Sequence, residues 1–451
     1  MKVSKLSLIA AAILVMSFAS CTKERELTDN HNDGVETSMR LAITFPSNGT
    51  RATFDPNSTE EEAAITTVDV FIYKANGNFS SRTRLTASDF EAPAQGSNSD
   101  KYVAKNKVRT TTGTKNVYVA INLPDAIAVS LIGEQEKALS QYSKTFSIAD
   151  LTTDNKFVMF STNPVTGTFV EDENDPANQI TVLCERLVAK ITVETSPTLD
   201  VSAVPGTIKK LEFAINNFNS KLFLLQGAAG DYKDPNWSLT SYDANDFILA
   251  SSANYAPIRE NGDANYSANK NLYTPRYAAE NTSEGKRQKE ITRVTVRAQI
   301  IPTVITNWKN GTDDSEGFTS TDAHGITSPV DFYVVSGSDL EGSFYFTNVN
   351  AASDFANAKS LTPIKYTNGL CYWDIFLNKN PQAPQTMGNR WDVLRNDFYM
   401  CRINSITGIG RETPDIPDEN KEETPDADTK ILVDIDVLFW HTPVLSDYDL
   451  R

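Results

Sequence analysis

The sequence predicts an all-β protein built from two antiparallel β-sandwich domains. Three observations point there. Runs rich in β-branched and aromatic residues recur along the chain, clusters of Gly, Asn, Pro and Ser separate them, and only "SLIGEQEKALSQY" (130–142) reads as helix. Strands at irregular spacing with so little helix favour sandwiches, and 451 residues suffice for roughly two or three domains with real cores. No repeat of roughly 20–50 residues is visible, which argues against a solenoid or propeller.

At the N-terminus, Lys2 and Lys5 precede an apolar run from Leu6 to Phe18, which ends in Phe18-Ala19-Ser20-Cys21. A basic start, an apolar centre and small residues before a cut make a secretory signal, too short to span a membrane. Cys21 directly after Ala-Ser resembles the bacterial lipobox, in which the cysteine is lipidated and becomes the mature N-terminus; the alternative is an ordinary signal peptide with a chance cysteine. No later apolar stretch approaches roughly 18 residues, so acyl chains would be the only membrane attachment. Residues 22–37 are polar and unpatterned, a tether.

A strong strand follows. Met39, Leu41, Ile43 and Phe45 alternate with Arg40, Ala42 and Thr44, the pattern of a strand with one buried face. Pro46-Ser47-Asn48-Gly49-Thr50 then reads as a turn and leads to Arg51 before Ala52, a site for a trypsin-like protease. A core strand thus stands beside a place where the chain is readily cut. The body strands are read at 66–75, 116–123, 156–162, 179–195, 208–218, 291–304, 331–337, 370–377 and 397–410. Residues 411–429, "RETPDIPDENKEETPDADT", then break the composition with three Pro and a run of acids, a stiff and extended spacer. After it, Ile431, Val433, Ile435, Val437 and Phe439 alternate with Leu432, Asp434, Asp436 and Leu438, ahead of Trp440 and a short "HTPV" turn.

The formal charge of -16 argues against nucleic acid and anionic lipid as partners. His31, His324 and His441 are scattered, with no Cys, Asp or Glu at ligand spacing, so no metal site and no cofactor is expected. There is no Gly-x-Ser-x-Gly elbow, and Gly408-Ile409-Gly410 lacks the third glycine of a dinucleotide loop. Asp434 and Asp436 share a face that could hold a cation, but such a pair is more often the solvated side of a half-buried strand. The acidic loops at 171–176 and 310–317 lack the EF-hand pattern. Trp237, Trp308, Trp373, Trp391 and Trp440 could line a glycan platform, though core or interface anchoring is the commoner use. Setting Cys21 aside, Cys184, Cys371 and Cys401 are odd in number, which suits buried thiols, with a Cys371–Cys401 pair as the alternative. No enzyme signal survives.

The informative features are therefore the two ends. A sandwich that loses an edge strand exposes a groove with an unpaired backbone ladder and an apolar floor. A strand of matching pattern, tethered to a neighbouring copy, could fill it by donor-strand complementation, and the head-to-tail contact would propagate as a filament. Burying five large apolar side chains contributes on the order of 10 kcal/mol before ordering costs.

The chain resembles the type V pilus subunits (fimbrillins) of Bacteroidales, in particular the major shaft subunit of the short, or minor, fimbria kind. The matching residues are the lipobox at Cys21, the strand before Arg51-Ala52, "VDVFIY" (68–73), "VYVAIN" (117–122), "ERLVAKITVE" (185–194), "LCYWDIFLN" (370–378), "VLRNDFYMCRINSITGIG" (393–410), the Pro/acid linker and "DIDVLFWHTPVLSDYDL" (434–450). The resemblance spans nearly the whole chain, loosely in the middle. It implies a fold of two transthyretin-like β-sandwich domains with a C-terminal donor-strand appendage. It further implies export as a lipoprotein to the outer membrane and cleavage between Arg51 and Ala52 by an Arg-specific surface protease. That cut would remove the lipid anchor with the strand Met39, Leu41, Ile43 and Phe45. Residues 430–451, with Ile431, Val433, Ile435, Val437, Phe439 and Trp440, would then enter the groove of the next copy, giving a cell-surface fimbrium that supports adhesion and biofilm formation. The expected divisions are 1–20 (signal), 21–51 (propeptide), 52–178 and 179–410 (two sandwiches), 411–429 (spacer) and 430–451 (donor strands). Partners would be copies of itself, anchor and tip subunits, and the protease. The linker is shorter than expected for the shaft kind, which keeps a tip or accessory subunit open. A surface lipoprotein binding glycans is the rival reading, but it leaves Arg51 and the spacer-plus-strand tail unexplained.

Overall fold

The computed structural model describes residues 26–27, 34–45, 60–91, 101–141, 144–153, 156–226, 233–237, 246–258, 275–282, 290–308, 319–322, 325–377, 391–414 and 430–440. The chain is all-β, as the alternating runs predict. A first sheet has eleven strands, with Thr67–Lys74 between Phe79–Thr86 and Gly113–Ile121 toward one edge and Met159–Ser161 at its middle. Two four-stranded sheets make the second half. One runs Arg276–Ala279, Val188–Asp200, Asp397–Ile406, Ile431–Phe439; the other runs Ala256–Pro257, Gly206–Asn216, Arg293–Pro302, Leu370–Phe376. Val70, Ile72, Val119, Ile191, Val294, Trp373 and Tyr399 belong to one apolar core that runs through both halves. Such burial is the main favourable contribution to folding.

Three features differ from the sequence reading. Gln179–Arg186, expected to open the second sandwich, is hydrogen-bonded in the first sheet, beside Met159–Ser161. The run 179–195 looks like one strand because both of its parts are apolar and β-branched. Buried Leu187 separates them and donates its N–H to the Val158 carbonyl, and Val188–Asp200 continues with partners in the second half. The sheets are also mixed, not purely antiparallel: Gln179–Arg186 runs parallel to Glu36–Thr44, and Val188–Asp200 parallel to Asp397–Ile406. Finally, the expected helix at 130–142 is instead a short helix, Asp125–Ser130, and a 3-10 turn, Glu136–Ser140. Gly133, at φ 81°, lies between them, in a conformation that ends a right-handed helix.

A helix that the strand-focused reading missed, Val349–Ala358, is capped by Asn348, whose side chain accepts from the N–H groups of Asn350 and Ala351 at 2.9 and 3.2 Å. Its Ala352, Phe355 and Ala356 pack on Val335 and Phe346 in a small separate core.

Candidate functional site

The leading strand, Glu36–Thr44, has the buried face its alternation predicts. Met39, Leu41 and Ile43 are fully buried and Phe45 nearly so, with its ring edge-on to Tyr102 at 5.8 Å. Its place in the sheet differs from the expected edge position, for it has neighbours on both sides. Arg40 to Thr44 pair in parallel with Gln179 to Leu183, while Glu36 to Met39 pair with Val108–Thr111 and Ala42 and Ile43 with Tyr102–Ala104. The Thr37 hydroxyl donates to the Val170 carbonyl at 2.8 Å and accepts from Asn178 Nδ2 at 3.3 Å, which pins its start. Gly34 enters the strand at φ 82°, where a Cβ would meet Thr112 Oγ1 at 2.6 Å. Removing this strand would therefore open a slot inside a sheet, with two unpaired ladders facing each other across one strand width.

The closing strand, Ile431–Phe439, is also nine residues long and shows the predicted alternation. Ile431 is buried and Val433, Ile435 and Val437 are half-buried, whereas Asp434, Asp436 and Leu432 face solvent. It pairs antiparallel with Asp397–Ile406 of its own chain, with an irregularity between Ile403 and Ser405, and among the described residues its other edge has no neighbouring strand. One ladder and a half-covered apolar face hold it, against two ladders and a fully covered face for the leading strand.

Beyond the closing strand, Trp440 drops out of the ladder into a box at the junction of the two halves and is fully buried. Its ring stacks on Tyr277 at 5.7 Å and stands edge-on to Phe157 at 6.0 Å. The Arg186 guanidinium lies over it at 4.4 Å and Lys190 Nζ at 5.3 Å. Its main-chain N–H donates to the Asn396 carbonyl at 3.0 Å, and its main-chain carbonyl accepts from Arg186 at 3.2 Å. Glu62, from the short helix Glu60–Ala63, completes the box: its carboxylate accepts from Lys190 Nζ at 2.9 Å and the Tyr277 hydroxyl at 2.6 Å, and its carbonyl accepts from Arg186 Nε. Burial lowers the Arg186 pKa to about 10, and the opposing charges of Glu62 and Tyr277 limit the fall. The sequence pattern alone does not mark Arg186 as functional; its signal is a cation at a core-facing position, following Ile180, Val182 and Cys184 at alternate places.

Arg395-Asn396, within the matching stretch 393–410, forms the adjoining turn. Arg395 is buried, donates to Glu280 Oε2 at 3.0 Å and caps the Phe223 and Leu224 carbonyls. Asn396 takes φ 56° and accepts from the Arg186 N–H through its side-chain oxygen.

The remaining candidates fall as follows. Cys21, Arg51, Ala52, residues 415–429 and residues 441–451 lie outside the described residues. Cys184, Cys371 and Cys401 are buried free thiols, not a Cys371–Cys401 pair, and burial pushes the Cys401 thiol up to about 12. Trp373, Trp391 and Trp440 lie in the core and so make no exposed platform. Among the described residues, no group of three or more His, Cys, Asp or Glu could hold a metal ion.

Comparison with known proteins agrees with this architecture. The family model for the major fimbrial subunit protein (FimA) matches residues 37–198. The model for the major fimbrial subunit protein type IV, fimbrillin, C-terminal, matches residues 364–444, so that the two together take in both of the strands described above. No curated protein matches the sequence. Among solved structures, a candidate cell adhesion protein from Parabacteroides distasonis superposes with a TM-score of 0.51 at 14% identity, covering 91% of this chain and 98% of that one. A fimbrilin (FimA) from Porphyromonas gingivalis gives 0.47 at 12% identity, over 90% and 98%. The tip fimbrial protein Mfa3 of the same organism gives 0.40 at 12%, over 89% and 100%. At these identities the first supports the shared fold alone.

Proposed function

Because this chain belongs to the fimbrillin family of major fimbrial subunit proteins, we propose that it is a structural pilin subunit that polymerises head-to-tail by donor-strand exchange. One observation carries this reading: two nine-residue strands with the same apolar alternation sit in unequal places. The leading strand fills a slot with a ladder on each side, and the closing strand covers an outer edge with one. Cleavage at Arg51 would detach the leading strand, and the closing strand of another copy would exchange one ladder for two and a half-covered face for a covered one. Filling the places of Met39, Leu41, Ile43 and Phe45 contributes on the order of 10 kcal/mol before ordering costs, which offsets the same burial lost when the leading strand departs.

The product is a non-closing chain of subunits at the cell surface, consistent with the adhesion role named for the Parabacteroides distasonis protein. Before cleavage, lipid on Cys21 would hold the precursor at the outer membrane. An Arg-specific protease, anchor and tip subunits, and further copies of the chain are the partners this route requires, and the linker of 411–429 carries the donor strand across to its neighbour.

Treating the purified precursor with a trypsin-like protease and running an unboiled gel tests the reading. Trimming to Ala52 should give ladders, and deletion of residues 430–451 should abolish them. A chain that stays monomeric after clean loss of residues 1–51 sinks the proposal. Arg51→Ala should stay lipid-anchored and unassembled. A subunit that forms one link to a shaft protein but no ladder with itself would be a tip or accessory component.

A further inference from the structure

We propose that Trp440 is a latch that holds the closing strand on its own chain, so that each subunit keeps its donor strand in place until the box of Arg186, Tyr277, Phe157, Lys190 and Glu62 releases the ring. For its consequence in assembly the inference rests on the donor-strand reading; its geometry stands without it. The closing strand alone is poorly secured. Among the described residues only Asp397–Ile406 pairs with it, Leu432, Asp434 and Asp436 face solvent, and Val433, Ile435 and Val437 are only half-covered. A strand held along one edge frays readily, because each outer hydrogen bond opens without disturbing the core. Trp440 stands at its C-terminal end and is the best-buried side chain described in the segment, at 0% exposure.

The box does more than cover the ring. Arg186 grips the Trp440 carbonyl at 3.2 Å while its guanidinium lies on the indole face, so one cation holds both main chain and side chain. Tyr277 stacks beneath the ring, and its hydroxyl is fixed by Glu62. Glu62 in turn fixes Lys190, the second cation at the ring. Withdrawing the indole would leave the buried Arg186 guanidinium without the face it lies against, while Lys190 would keep Phe398 and Glu62, which makes opening unfavourable beyond the loss of apolar contact. Three elements of the first half (Glu60–Ala63, Lys156–Phe157 and Gln179–Arg186) supply Glu62, Phe157 and Arg186, and two of the second supply Lys190 and Tyr277. The latch therefore closes only when both halves are docked, which ties retention of the strand to completed folding.

Hydrogen–deuterium exchange on the uncleaved chain tests the latch. Trp440→Ala should speed exchange of the bonded amides of 431–439 roughly a hundredfold while Val117–Ile121 in the first sheet stay protected. Trp440→Phe, which keeps a ring over Tyr277, should restore most of the protection. Tyr277→Leu opens the same box without touching the strand, and reports the same acceleration should Trp440→Ala fail to fold. After cleavage at Arg51, the Trp440→Ala chain should also form ladders faster than the parent. Unchanged exchange at 431–439 in a folded Trp440→Ala chain would overturn the latch whatever the ladders do. Fast exchange with no ladders from either chain would overturn donor-strand exchange and leave the latch standing.

Discussion

Leu41→Ala should destabilise the precursor and leave the filament untouched. Leu41 is fully buried opposite Ile180 in the parallel ladder, so truncation leaves a cavity in the first sheet. Such deletions cost about 3 kcal/mol. For a domain of this size that lowers the melting temperature by roughly 6–12 °C. Ile435→Ala should behave in the opposite sense. Its side chain is half-buried on the outer edge, so the precursor loses about 1 kcal/mol, but the same residue in the slot of a neighbour would be fully covered and cost about 3 kcal/mol. Circular dichroism melts of the uncleaved chains, paired with the temperature at which cleaved ladders dissociate on gels, read both effects. If Leu41→Ala lowers ladder stability as much as it lowers the precursor melt, the leading strand stays in the filament and the exchange argument fails.

Three further outcomes are expected. Burial, with Glu280 and Asp397 adding and Arg395 opposing, pushes the Glu185 carboxyl up to about 7 from its ordinary 4.5. Since the folded value lies above the unfolded one, its contribution is fully present below about 4.5 and is lost as pH rises through 7, on the order of 3 kcal/mol across that window; Glu185→Gln should flatten this part of a denaturation-versus-pH curve, and an unchanged slope refutes the assignment. Arg395→Met should cost about 3–5 kcal/mol by stranding buried Glu280, and the double change with Glu280→Gln should recover part of it, both read by denaturant midpoints. Cys184, Cys371 and Cys401 should resist iodoacetamide in the native chain and react in denaturant, as mass spectrometry would show; rapid native labelling of Cys401, which pairs with Ile435, would mean that the closing strand is open.

Local pattern made much of this protein legible. The period-two alternation of Met39 to Phe45 and of Ile431 to Val437 named the buried faces, because in a strand side-chain direction depends only on sequence position. The same alternation could not say that Gln179–Arg186 pairs in the first sheet, since a β-branched run fits any apolar slot of its length. Nor could it separate Arg186 from a solvated arginine; its role depends on an indole 254 residues away in sequence.

By itself the sequence determined the all-β class, the two matched strands, their buried faces and the acid-rich linker between body and tail, all of which follow from composition and from the two-residue period of a strand. Tertiary structure alone decided that, among the described residues, the leading strand has a ladder on each side while the closing strand has one, and that Trp440 is locked between the two halves. The difference is physical: alternation records which side chains seek cover, whereas the number of neighbours a strand meets, and the charges a buried ring lies against, depend on residues brought together from across the whole chain.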